Sequence, residues 1–270
     1  MIWTKEFFNT GKPIIAMLHL QPLPGDPKYG NGDSMRTVVE KAAADLKALQ
    51  EGGVDGIIFS NEFSLPYQRH MSFVTPCAMA RVIGELKCDI NVPFGVDCIS
   101  DGMATIELAA AVDAAFVRGT FSGVYVGDGG FYNNDISEIL RRKHALGLDG
   151  LKMLYFLNPE SDINLDTRKI SDIAKSLAFK ASPDGFCISG SAAGKGVEND
   201  LLAQVKNAIP EIPVLANTGC TIDTIADKLR ICDAAVVATT FKYDGYLFNA
   251  VDTNRVKEFM DIVSDFRKSL

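Results

Sequence analysis

The sequence is poor in the features that mark several functional classes. It has one tryptophan and three histidines. Of these, His70 and His144 fall on a loop and a helix, apart from His19, so a three-histidine metal site is not expected. Positive charge is also short: 27 Lys and Arg stand against 34 Asp and Glu, a formal net charge of −7, with no Lys/Arg-rich stripe. Binding a phosphodiester chain requires clustered cations, so no nucleic-acid partner is expected. No apolar run is long enough to span a bilayer, and Met1-Ile2-Trp3-Thr4-Lys5-Glu6 lacks the cationic start and apolar stretch of a signal peptide. The expectation is a cytoplasmic chain without membrane insertion. Its six cysteines are scattered, form no CxxC pair and in places sit in apolar runs such as Gly185-Phe186-Cys187-Ile188. They read as reduced core thiols rather than disulfides or zinc ligands.

What is present is a repeating pattern. Short apolar runs at Pro13–Leu20, Asp55–Ser60, Pro93–Ile99, Ala114–Gly119, Leu151–Leu157, Gly185–Ser189, Ile212–Ala216 and Ala234–Thr239 alternate with segments of helical spacing. The helices are expected over Ser34–Glu51, Thr75–Leu86, Met103–Ala111, Ile136–Leu146, Arg168–Phe179, Asn199–Ile209, Ile222–Leu229 and Thr253–Lys268. Ser34, Thr75, Asp135, Asp166, Thr221 and Asp252 stand near their starts as candidate caps. Continuous apolar strands such as Ile14-Ile15-Ala16-Met17-Leu18 indicate a parallel sheet covered on both faces. Eight βα units with no linker between them imply an α/β fold, a single-domain (β/α)8 TIM barrel over 1–270. An open dinucleotide-binding sheet is disfavoured, because Gln21-Pro22-Leu23-Pro24-Gly25-Asp26-Pro27 after the first run cannot begin a helix and lacks the N–H donors of a phosphate turn. No nucleotide or nicotinamide motif occurs, the cofactor stays unknown, and this first loop reads as a lid or rim element.

The runs end on their carboxyl side in polar residues, the place where barrel enzymes assemble their sites. In order these are His19, Asn61 with Glu62, Asp97 with Ser100 and Asp101, Arg118, Asn158, Ser189 with Ser191, Asn217 with Thr218, and Thr239 with Thr240. Solvent at strand ends accounts for many Ser and Thr. It does not account for His19, Glu62, Asp97 and Arg118, whose charge inside an apolar strand costs free energy unless paired. These four are the catalytic candidates. His19 and Asp97 would be acid/base groups and Arg118 an anchor for a carboxylate or phosphate; a buried Asp97–Arg118 pair that locks the barrel is the other reading. Asn61, Ser189, Asn217, Gly219, Thr239, Thr240 and Lys195 are candidate substrate or phosphate contacts. The loops after the seventh and eighth runs are where barrels often hold phosphate. Gly190-Ser191-Ala192-Ala193-Gly194-Lys195-Gly196 lacks the GxxxxGK[ST] spacing, so it reads as an active-site flap carrying one cation, not a P-loop. Gly123–Gly130 reads as a second flap. A divalent ion on Glu62, Asp97 or Asp128 is compatible with the oxygen ligands but not supported by their spacing. A Schiff-base lysine is not expected, because Lys152 begins the fifth run at the opposite face.

The chain resembles the BtpA family of barrels, and within it the SgcQ branch. The resemblance is carried by Ile15–Leu20 with Pro22–Pro27, Gly52–Glu62, Pro93–Val96, Val214–Gly219, Ala238–Gly245, and Val251-Asp252 with Arg255-Val256-Phe259-Met260. It implies a TIM-type barrel related to the ribulose-phosphate-binding barrels and carries no catalytic residues onto this chain. The family takes its name from a role in photosystem I biogenesis, whereas the SgcQ branch is associated with operons for sugar uptake by phosphotransferase systems. Phe63-Ser64-Leu65-Pro66-Tyr67 and Ala238-Thr239-Thr240-Phe241 resemble the second branch. Two functions follow as expectations: a lyase or isomerase acting on a small phosphorylated sugar or related anionic metabolite, or a non-catalytic factor that binds a protein and aids its assembly. A homo-oligomer is the expected assembly. Fold alone does not choose between the two functions.

Overall fold

The computed structural model describes residues 3–270 apart from 31, 33, 161 and 192–194. Eight parallel strands close into a barrel in the order β1, β11, β10, β9, β7, β4, β3, β2. These are β1 (Ile14–His19), β2 (Gly56–Ser60), β3 (Phe94–Asp97), β4 (Phe116–Gly119), β7 (Lys152–Asn158), β9 (Gly185–Ile188), β10 (Val214–Ala216) and β11 (Ala234–Val237). Around them lie α2 (Met35–Gly52), α3 (Val74–Leu86), α4 (Gly102–Val112), α5 (Ile136–Ala145), α6 (Ile170–Ala181), α7 (Asn199–Ala208), α8 (Ile225–Ile231) and α9 (Thr253–Lys268). All eight expected strands are present. So are the eight helices, with shifted ends.

Two elements were not foreseen. A short helix, α1 (Trp3–Phe7), lies across the amino-terminal floor. There Phe7 and the following Phe8 pack edge-on against Phe116, with ring centroids 6.1 and 5.8 Å away. The stretch expected to be a glycine-rich flap folds as a hairpin, β5 (Val124–Gly127) and β6 (Gly130–Asn133), joined by β8 (Ile163–Asn164) into a small antiparallel sheet. Ser34, Asp135 and Asp252 cap their helices as expected, whereas Thr75 lies inside α3, and α6 and α8 start after Lys169 and Thr224. Asp166 and Thr221 therefore do not cap those helices. Asp166 instead makes a local turn, accepting the Arg168 N–H at 3.0 Å, while Asp101 caps α4. The cysteines are free. Cys98, Cys187, Cys220 and Cys232 are buried, but Cys77 and Cys88 are exposed on α3 and the turn after it, so the core-thiol expectation fails for these two.

The period of two along each strand separates two apolar layers. Ile15, Met17, Ile58, Phe116, Leu154, Cys187, Leu215, Ala234 and Val236 fill the barrel interior, while their alternates pack against the helices. Gly95 leaves room inside: a Cβ there would stand 2.6 Å from the Phe116 ring. At the floor one device recurs three times. Asp55, Asp184 and Asp233, each just before a strand, accept the N–H of Ile14, Met153 and Val214 at 2.7 to 2.9 Å. Each carboxylate also pairs with a cation: Arg267, Lys152 and Lys206 respectively. Lys152 is thus held at the floor. No helix among the described residues is long and apolar enough to cross a membrane.

Candidate functional site

Two residues beyond the interior positions of five strands, the same parity delivers a polar side chain to the mouth. Ile15 and Met17 lead to His19, Gly95 to Asp97, Phe116 to Arg118, Cys187 to Ser189 and Leu215 to Asn217. All five polar residues are buried. Arg118 joins them. Its Nε donates to Asp97 Oδ2 at 2.9 Å, with Nη2 2.8 Å from the same oxygen in the ion pair, and its Nη1 donates to Asn217 Oδ1 at 3.0 Å. Asn217 Nδ2 donates onward to Glu160 Oε1 and Ser189 Oγ, both at 3.0 Å. The guanidinium plane rests 4.9 Å from the Phe156 ring. With carbonyl oxygen toward the cation and amide toward the carboxylate, Asn217 is oriented by its neighbours.

Burial shapes the electrostatics. Desolvation raises the Glu160 carboxyl to about 7, against the pull of Arg118 in the opposite direction. It raises Glu62 and Asp97 as well, again opposed by Arg118. His19 is lowered well below its usual value, first by burial and then by the charges of Lys242 and Arg118, so it is neutral at physiological pH. Its Nε2 lies 3.7 Å from Glu62 Oε2, and its buried Nδ1 has no hydrogen-bond partner among the described residues. Tyr67 donates to Glu62 Oε1 at 3.1 Å and fixes that carboxyl. A carboxyl poised near neutrality and bonded through Asn217 to a fixed guanidinium, in a cavity that a neutral imidazole also lines, can give and take protons at neutral pH.

The mouth is divided into two chambers by a wall of Glu62, Arg118 and Glu160, which line both. The first, about 540 Å³, extends from His19 to the loops after β10 and β11, where Gly219, Thr239, Thr240 and Arg255 stand. Gly219 is held at a φ of +61°, and a Cβ there would stand 2.2 Å from the Gly196 nitrogen, so the loops after β9 and β10 pack backbone to backbone. Thr240 Oγ1 donates to the Cys220 carbonyl at 2.6 Å, and Arg255 Nε donates to the Thr240 carbonyl at 2.9 Å, tying the β10 and β11 loops to α9. The second chamber, about 400 Å³, lies under the small sheet.

Of the eleven candidate residues, His19, Glu62, Arg118, Asn217, Gly219, Thr239 and Thr240 line the first chamber, and Asp97 lines the second. Ser189 is buried behind Asn217. The other two are not brought to the cavity. Asn61 is spent on the Ile99 N–H at 2.9 Å, joining two loops, and Lys195 is exposed and lines neither chamber. Ala192 to Gly194 of its expected flap lie outside the described residues. Among the described residues no three His, Cys, Asp or Glu side chains group as a metal ion requires; of the three oxygen ligands considered, Glu62 and Asp97 are engaged by Tyr67 and Arg118. Sequence reasoning missed Glu160, Tyr67, Arg69 and Arg255. Glu160 had a signal, since it follows the strand-end Asn158 by two residues.

Comparison with known proteins agrees with this architecture. The BtpA family model matches residues 10–265. The sgc region protein SgcQ of Escherichia coli K12 is 44% identical over 99% of this chain and 100% of its own length. The photosystem I biogenesis protein BtpA of Synechocystis is 29% identical over 98% of this chain and 92% of its own. Among solved structures, the (S)-3-O-geranylgeranylglyceryl phosphate synthase of Thermoplasma acidophilum, in complex with substrate sn-glycerol-1-phosphate, superposes with a TM-score of 0.58 at 13% identity, over 98% of this chain and 97% of that one. The last likeness is one of fold. This chain belongs to the BtpA family.

Proposed function

We propose that this protein is an enzyme acting on a small phosphorylated sugar by proton transfer, with lyase or isomerase chemistry. The observation that carries the reading is the position of Glu160. It is a carboxyl raised to about 7, hydrogen-bonded through Asn217 to Arg118, on the wall of a cavity whose far side is built from the β10 and β11 loops. Backbone N–H groups at Gly219 and Thr239, with the Arg255 guanidinium, would cradle the phosphate. Glu160 would move a proton on the substrate carbon skeleton. Neutral His19 would donate or accept a hydrogen bond at the reacting oxygen, and Arg118 would stabilise negative charge that develops there. The synthase with the similar fold also acts on a small phosphorylated polyol, which agrees in substrate class.

One observation favours a second reading, a protein-binding assembly factor. Val126, Phe131 and Ile163 are neighbours across the small sheet and are all exposed, an apolar row of the kind that binds partners. Thermal-shift measurement against a panel of sugar phosphates separates the two. A ligand at a hundredfold its Kd adds about 2.7 kcal/mol to the folded state. The enzyme reading predicts such a shift, reduced by Arg255→Met. If no sugar phosphate stabilises the protein, and Asp97→Asn and Arg118→Met leave its biological activity intact, the enzyme reading falls.

A further inference from the structure

We infer that the second chamber is a subsite for an uncharged polyhydroxylated group, so that the substrate spans both chambers with its phosphate in the first. The inference rests on the phosphate reading of the first chamber and adds the identity of the substrate's other end. Among the described residues the two chambers share Glu62, Arg118 and Glu160, so a molecule occupying both presents its central atoms to the groups argued to move protons.

The lining of the second chamber selects the chemistry. Asp128 and Asp162 supply acceptors, and Tyr67, Tyr132 and Phe156 supply aromatic faces. Arg69 supplies donors and is poorly used by the protein. Its guanidinium lies 4.3 Å from the Tyr132 ring centroid, its hydrogen bond to Ser100 Oγ is long at 3.4 Å, and it stands 3.7 Å from Asp162 Oδ1. Among the described residues its buried Nε has no partner. A guanidinium has five donors, and a protein that stacks it on a ring and leaves it so loosely bonded holds it for an acceptor from outside. A second phosphate is excluded by the acidic lining, in which Asp97, Asp128 and Asp162 outnumber Arg69 away from the shared wall. A cationic amine answers the carboxylates but offers Arg69 no acceptor. Hydroxyl groups meet both demands, donating to carboxylates and accepting from Arg69, while aromatic faces cover the carbon-bound hydrogens.

Calorimetric titration of the full chain with inorganic phosphate, glycerol phosphate and a hexose 6-phosphate tests this. Glycerol phosphate fills the first chamber alone, whereas a hexose phosphate reaches across the wall. The inference predicts that hexose phosphate binds about tenfold more tightly than glycerol phosphate. Arg69→Met and Asp162→Asn should each erase that gap and leave inorganic phosphate unchanged. Equal affinities in the wild type, or a gap that survives both substitutions, would overturn it. If inorganic phosphate does not bind at all, the first-chamber reading fails, and saturation-transfer NMR with a neutral hexitol decides this subsite separately. Transfer to the hexitol that Arg69→Met abolishes supports it, and no transfer overturns it.

Discussion

Arg118 Nη1 lies 3.0 Å from Asn217 Oδ1, although 99 residues separate them in the chain. One stands at the end of β4 and the other just past β10, which are not neighbours in the barrel. The bond therefore spans the interior, and with Asp97 it makes one hydrogen-bonded unit from three strands. A buried guanidinium is tolerable because each side of it is met by an acceptor. The same fixation presents its charge to the cavity without reorganisation.

Removing that guanidinium leaves Asp97 buried without its cation. Arg118→Met is expected to cost about 3–5 kcal/mol in denaturant unfolding. Restoring neutrality with Asp97→Asn in the double variant should recover part of the loss, a coupling of about 0.5–3 kcal/mol. Strict additivity would show that the pair is not a unit.

Glu160 makes stability depend on pH in a defined sense. Its folded value of about 7 lies above the ordinary 4.5, so the folded state holds this proton more tightly than the unfolded chain. The stability it contributes is full below pH 4.5 and is lost as pH rises through 7, on the order of 3 kcal/mol. Glu62 and Asp97, also raised, act in the same sense. His19, lowered, acts in the opposite one, costing stability as pH falls below 6.5. The difference between wild type and Glu160→Gln isolates the Glu160 contribution. Unfolding at pH 5 and pH 8 should show wild type losing more than the variant; equal losses would place Glu160 at an ordinary value.

Gly219→Ala sets a Cβ against the Gly196 backbone at a φ that side chains disfavour. We expect at least a tenfold loss of inorganic phosphate affinity by calorimetry, because the β9 and β10 loops must separate. Gly84→Ala, on the exposed side of α3 with nothing within 4 Å, should leave phosphate affinity unchanged and add about 0.5–1 kcal/mol of stability. Equal effects of the two substitutions would mean that the loop contact does not shape the cradle.

The barrel was legible because its strands are unbroken apolar runs and its polar residues follow the interior positions by two. That rule alone brings His19, Asp97, Arg118 and Asn217 to one mouth. It is silent about side chains that enter from loops. Glu160 follows Pro159 beyond the strand, and Arg69 sits on a loop with no periodicity to mark its direction. Asn61 lies off the cavity lining for a related reason: it stands just past β2 as expected, but its short side chain accepts the Ile99 N–H of the next loop. The small sheet was missed because its strands are two to four residues long, too short for a period to register. The false caps Thr75 and Asp166 show that a good capping residue near a helix start does not fix where the helix begins.

Proton transfer to substrate carbon can be read directly. Aldose and ketose phosphates incubated with the protein in D2O and followed by NMR should exchange a hydrogen on the carbon next to the carbonyl for deuterium. Glu160→Gln should slow that exchange by about 10²-fold or more. Exchange at the same rate in wild type and variant, or no exchange with any sugar phosphate that binds, would contradict the assignment of Glu160 as the group that moves the proton.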